Sequence, residues 1–136
     1  MVKLMMGLKG SGKTKQMIEM VRVAEGEEDG AVVCIEKGPK LTYDIPHTVR
    51  LIDTSSYEFG DYEFMKGFIS GVFSTNFDIT HIFIDSLTKI IGVDYDDRVE
   101  SFLEWCDNFS RRENVKFTLS ISADIALASE DVKKYF

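Results

Sequence analysis

The chain has 136 residues, 44% of them apolar, with only two prolines, two cysteines and a formal net charge of −7. That length fits one domain with a proper core, roughly two-thirds of the unfolded surface being buried on folding, and the composition excludes both a disordered chain and a disulfide scaffold. The negative charge weighs against nucleic acid as a partner, and no apolar run approaches the length of a membrane span, so no membrane partner is expected.

In chain order, Val2-Lys3-Leu4-Met5-Met6 reads as a short buried strand. It runs into Gly7-Leu8-Lys9-Gly10-Ser11-Gly12-Lys13-Thr14, which fits the spacing G-x-x-x-x-G-K-[ST]. Each fixed position has a physical reason. Glycines allow a tight turn and leave no Cβ in the path of a phosphate. The N–H groups of such a turn, with the positive end of the following helix, cradle an anion. Lys13 is placed to reach the β- and γ-phosphates of a nucleotide, and Thr14 offers a hydroxyl to Mg²⁺. Four fixed positions coincide by chance on the order of one per cent of the time or less, so nucleotide binding is the expectation.

A helix is predicted from Lys13 to Glu25, with Met17, Ile18, Val21 and Ala24 on one face and Gly26 as its stop. Glu27-Glu28-Asp29-Gly30 reads as a solvated turn. Ala31 to Ile35 is a continuous apolar run, the signature of a strand buried on both faces, and it ends at Glu36. Lys37 to Pro46 holds both prolines and is long for an unstructured connection, which points to a functional or mobile segment. Thr48 to Ile52 is the next strand. Asp61 is placed to cap a helix bearing Met65, Phe68, Ile69, Val72 and Phe73. Gly67 and Gly71 on that helix predict close packing against a neighbour. His81 to Ile84 is a buried strand ending at Asp85. A helix from Tyr95 to Arg112 turns Val99, Phe102, Leu103, Cys106 and Phe109 inward, with Glu100, Glu104 and Asp107 outward. Val115 to Ser122 is the last strand, and Ser129 to Phe136 a short terminal helix.

This alternation predicts a single α/β domain over residues 1–136 with a mainly parallel sheet. Cys34 and Cys106 sit in apolar contexts as free buried thiols, and His47 and His81 are too isolated to be metal ligands. No signal-peptide pattern opens the sequence, and cytoplasm is the expected location.

Ligands of parallel sheets sit at the carboxyl ends of the strands. Asp85, at the end of an apolar strand, is the candidate to place Mg²⁺ beside Thr14. The next residue is Ser86, so no glutamate follows Asp85 to activate water. Glu36, ending another strand at the same edge, is the candidate base.

These segments resemble the ATPase core of RecA-type P-loop NTPases, the family of RecA, RadA and KaiC-like proteins. The resemblance covers most of the chain and rests on Gly7 to Thr14, Cys34-Ile35-Glu36 and Ile82-Phe83-Ile84-Asp85-Ser86-Leu87. It implies a three-layer domain with a five-stranded sheet, in which the last strand lies between the first strand and the Asp85 strand. It implies Glu36 as base, Asp85 as Mg²⁺ partner, ATP as ligand, and Ser122 or Asp124 as a sensor facing the γ-phosphate. The family works as rings or filaments. The resemblance therefore implies a homo-oligomer or a protein partner, with Arg98, Arg111 and Arg112 as candidates for an arginine given to a neighbour. The chain is also similar to small stand-alone proteins labelled twitching-motility-type ATPases. It departs from the recombinases in lacking room for DNA-binding loops, and from partition-type ATPases in lacking a lysine directly after Gly7.

The expected function is Mg-dependent ATP binding and hydrolysis, with Lys13 and Glu36 catalytic. One alternative is a nucleotide-dependent switch with little hydrolysis of its own. Another is a small nucleoside-kinase-like phosphotransferase, although Ser86 to Asp94 holds no arginine-bearing lid. In that case Tyr43, in the Lys37 to Pro46 loop, is the candidate contact for a base or second substrate.

Overall fold

The computed structural model describes residues 1–136. Its strands are β1 (Val2–Gly7), β2 (Ala31–Glu36), β3 (Arg50–Asp53), β4 (Ile79–Ile84) and β5 (Lys116–Ser122). They form one all-parallel sheet in the order β1-β5-β4-β2-β3. The last strand is thus inserted between the first and the fourth, as expected. The helices are α1 (Lys13–Glu27), α2 (Tyr62–Ser74), α3 (Leu87–Ile91), α4 (Arg98–Glu113) and α5 (Glu130–Lys133). No helix is long and apolar enough to cross a membrane.

Side chains alternate across the sheet, so each strand feeds two cores. On one face, Leu4, Val33, Ile35, Ile82, Ile84, Phe117, Leu119 and Ile121 meet Met65 and Ile69 of α2 and Phe102, Leu103 and Phe109 of α4. On the other face, Met5, Val32, Cys34 and Phe83 meet Met17, Val21 and Ala24 of α1. One helix does not cover that second face, and Leu41, Ile45 and Val49 complete it. The Lys37 to Pro46 segment, long for an unstructured connection, is a series of turns anchored by the buried Leu41 and Ile45. Both cysteines are buried and free.

Asp61 caps α2, accepting from Phe64 N–H at 2.8 Å. Several expectations need correction. Gly26 does not stop α1, which continues to Glu27, because Gly26 does not take the left-handed conformation of a helix-ending glycine. Gly67 and Gly71 are not close-packing sites. A Cβ at either would meet no atom within 4 Å, and Gly71 instead lines a mostly apolar groove of about 560 Å³ beside β3. The close approach falls at Gly30, where a Cβ would stand 2.1 Å from Thr80 Cγ2 and 2.3 Å from the Asp78 carbonyl oxygen. Glu28 is no solvated turn residue: its Oε2 lies 2.8 Å from His81 Nδ1. Leu87–Ile91 is helical where sequence periodicity gave no helix, since five residues are too few to show a period. The free edge of β1 is partly covered, Leu4 N–H donating to the Tyr135 carbonyl at 2.8 Å.

Candidate functional site

The turn after β1 is built as its glycines require. Gly10 and Gly12 have φ of 87° and 88°, a region closed to most side chains. A Cβ on Gly7 would stand 2.8 Å from Ser11 Oγ. The Gly7 carbonyl accepts from Ala123 N–H at 3.1 Å, which ties the turn to the end of β5. Lys13 is buried beneath the turn, and its Nζ donates to the carbonyls of Gly7 at 2.9 Å and Leu8 at 3.0 Å. Burial lowers the Lys13 pKa, and the nearby Asp85 carboxylate opposes that shift.

The turn opens into a cavity of about 490 Å³ with no hydrophobic residue in its lining. Lys9, Gly10, Gly12, Lys13 and Thr14 form one side of it, Ser122 comes from β5, and Ser86, Thr88 and Lys89 follow β4. Lys40 comes from the loop after β2. Four lysines therefore converge here in a protein whose net charge is −7. Leu8 lies outside the lining and is largely exposed.

Two buried carboxylates accompany the cavity at the same sheet edge. Asp85 Oδ1 accepts from Ser120 Oγ at 2.8 Å, and the same Oγ accepts from Ser86 N–H at 2.8 Å. Ser86 has φ of 57°, a left-handed conformation that turns the chain sharply after Asp85. Glu36 is 3% exposed, and its Oε1 accepts from Leu41 N–H at 2.9 Å. Burial raises its pKa, the Leu41 N–H opposes that, and the charges of Asp85 and Asp53 add to the rise. Asp53, at the end of β3, accepts from Gly38 N–H at 2.8 Å and so pins the other end of the Lys40 segment.

The fold thus gathers Gly7, Lys9 to Thr14, Glu36, Asp85 and Ser122 at one sheet edge. Asp124 stands outside the cavity lining, its side chain accepting from Ala126 N–H at 3.0 Å in a short 3₁₀ turn. Arg98, Arg111 and Arg112 are exposed on α4, each ion-paired on its own helix or at its start, and none lines the cavity. Tyr43 projects into solvent, 97% exposed.

The donor set suits a hard cation. Thr14 offers a hydroxyl and Asp85 a carboxylate whose Oδ2 has no protein donor. No three acidic, histidine or cysteine side chains gather anywhere to hold a metal by themselves. A cation at Thr14 and Asp85 would draw the rest of its shell from phosphate oxygens and water, which is the habit of Mg²⁺.

Sequence reasoning missed Lys89, Thr88 and Ser120, and gave Lys40 no role in the site. Only Ser120 left a signal. Phe117-Thr118-Leu119-Ser120-Ile121-Ser122 alternates apolar and hydroxyl residues, so one face of β5 carries hydroxyls beneath α1. Thr118 bonds His81 Nε2 at 2.8 Å at one end of that stripe, and Ser120 bonds Asp85 further along. No family model matches the chain, and no curated protein matches it in sequence.

Proposed function

We propose that the chain is a RecA-like P-loop domain that binds Mg-ATP and hydrolyses it. One observation carries the reading. A glycine turn and four lysines enclose a wholly polar cavity with two buried carboxylates beside it, at the sheet edge where parallel α/β domains bind ligands. Backbone N–H groups of the turn and the Lys13 ammonium would hold the β- and γ-phosphates, and Thr14 and Asp85 would hold Mg²⁺. When bound, the ion would offset the negative charge of the phosphate oxygens. Glu36 accepts a proton from water as the water oxygen attacks the terminal phosphorus. The bond from that phosphorus to the diphosphate oxygen breaks, and diphosphate leaves with the electron pair. The raised pKa of Glu36 suits a general base near neutral pH.

A second reading has its own support: no arginine lines the cavity. Arginine is the usual means of stabilising the transition-state charge. A domain without one hydrolyses slowly and acts as a nucleotide switch until a neighbour supplies it.

Equilibrium titration with ATP and ADP in the presence of Mg²⁺, followed by phosphate release across a range of protein concentrations, tests both. Binding that weakens about tenfold or more in Lys13→Ala, a loss of one charge-assisted hydrogen-bond set, supports the nucleotide site. Turnover that is constant per molecule supports an autonomous ATPase, and turnover that rises with concentration supports activation by a second copy. Absence of nucleotide binding at millimolar concentration overturns the proposal.

A further inference from the structure

We infer that Lys40 is the residue that distinguishes a triphosphate from a diphosphate, and that Glu36 positions it by gripping the backbone of its neighbour Leu41. The inference rests on the nucleotide-binding reading above and goes beyond it in naming the part of the ligand that Lys40 touches.

The strand order sets the direction. The glycine turn leaves β1, at one edge of the sheet, and Lys40 follows β2, three strands away. At ordinary strand spacing that is about 14 Å across the edge. With the β- and γ-phosphates held on the turn and Lys13, the side of the phosphate chain turned away from the turn faces Lys89, after β4, and the long side chain of Lys40, after β2. The last group of the chain is the terminal phosphate.

Lys40 is also a free cation at that end. The ion-paired lysines of the chain are Lys66, Lys116 and Lys133, and Lys40 is not among them. Its side chain is exposed while the backbone around it is fixed. Gly38 N–H is held by Asp53, Leu41 N–H by Glu36, and the Leu41 side chain is 1% exposed in the core against α1. A flexible ammonium on a pinned backbone is a placed charge. The residue that places it is the proposed base itself, so Glu36 has two separable duties.

The test compares Kd for a non-hydrolysable ATP analogue and for ADP, each with Mg²⁺, in the whole chain and in four variants. Lys40→Ala should lose about tenfold or more in triphosphate affinity, the cost of one hydrogen bond to a charged group, with diphosphate affinity kept within about twofold. Lys37→Ala removes the same charge from the same loop, outside the cavity, and should change neither. Glu36→Gln retains an oxygen to accept from Leu41 N–H and should keep the triphosphate preference while turnover is lost. Glu36→Ala should lose the preference as Lys40→Ala does, with its folded state checked by urea titration. Equal losses for the two nucleotides in Lys40→Ala, equal effects of Lys37→Ala and Lys40→Ala, or no effect of Lys40→Ala each overturn the inference while leaving nucleotide binding intact. An unmodified chain that binds neither nucleotide overturns the underlying reading, and this inference with it.

Discussion

Ser120→Ala is the sharpest probe of how the site is held. The residue is fully buried, its hydroxyl donates to Asp85 Oδ1 at 2.8 Å, and it accepts from Ser86 N–H at 2.8 Å. Alanine keeps the backbone and removes one oxygen. The first loss is a hydrogen bond to a charged group, about 1.5–3 kcal/mol, and the second leaves the Ser86 N–H without its acceptor, about 1–3 kcal/mol. The two share one oxygen and are not additive, so the expected destabilisation is about 2–4 kcal/mol against a total of about 5–15 for a domain. Urea denaturation followed by tryptophan fluorescence measures it through the single Trp105. The midpoint should fall with m unchanged, since the surface exposed on unfolding is the same. Ser122→Ala, at the exposed end of the same strand, should stay within about 0.5 kcal/mol. A Ser120→Ala loss below about 0.5 kcal/mol would show that the hydroxyl is not what holds Asp85 and Ser86.

Gly30→Ala forces a methyl to 2.1 Å from Thr80 Cγ2 and 2.3 Å from a carbonyl oxygen. It should cost about 1–3 kcal/mol or more by overpacking, whereas Gly26→Ala, with nothing near it, should be neutral or stabilising by about 0.5–1 kcal/mol within α1; equal midpoints for the two variants in urea would contradict the geometry. Acidification should weaken the fold through His81, whose pKa burial lowers against the opposing pull of Glu28, with Lys116 and the N-terminal amine adding to the fall. A lowered folded pKa means that the unfolded chain binds the proton more readily, so this stability is present above the unfolded value of about 6.5 and is lost below it. His81→Gln should flatten the dependence of the urea midpoint between pH 7.5 and 5.5, and an unchanged slope would place the sensitivity elsewhere. Glu36→Gln should bind Mg-ATP with near-normal affinity while phosphate release falls by about a hundredfold or more; retained release would remove Glu36 from the role of base.

The parallel sheet was legible because Ala31 to Ile35 is apolar at every position and the strands before Gly7 and Asp85 are mostly so, and such runs are buried on both faces. Asp61, the α4 inner face and both ends of the glycine turn were legible for the same local reason: capping, periodicity and positive φ are written within a few residues. The Lys37 to Pro46 segment gave no element signal because its anchors, Leu41 and Ile45, stand between Pro39 and Pro46, which bar a regular helix or strand. They plug a gap that exists only once α1 is laid on the sheet. Glu28 was misjudged because its partner His81 is 53 residues away and adjacent only through the sheet. The lysines of the cavity were invisible as a group. Lys9, Lys13, Lys40 and Lys89 make no basic run, and only the crossing order of the strands brings them to one place.

That convergence also explains how the edge tolerates two buried carboxylates. An isolated buried charge costs several kcal/mol, and here each carboxylate has a donor of its own, Ser120 for Asp85 and the Leu41 N–H for Glu36. The Asp85 charge acts on Lys13, and the Lys89 charge acts on Glu36. Two of the four lysines are thereby matched by acids, and Lys9 and Lys40 are left as a cationic surplus at the mouth. At an effective dielectric near 20, a unit charge at 4 Å from each is worth about 4 kcal/mol. A single negative charge meets one of them; a ligand with several charges along its length meets both while it rests on the glycine turn. The electrostatics of the edge therefore favour an extended polyphosphate over a compact monoanion, and they do so through lysines drawn from three different connections of the sheet.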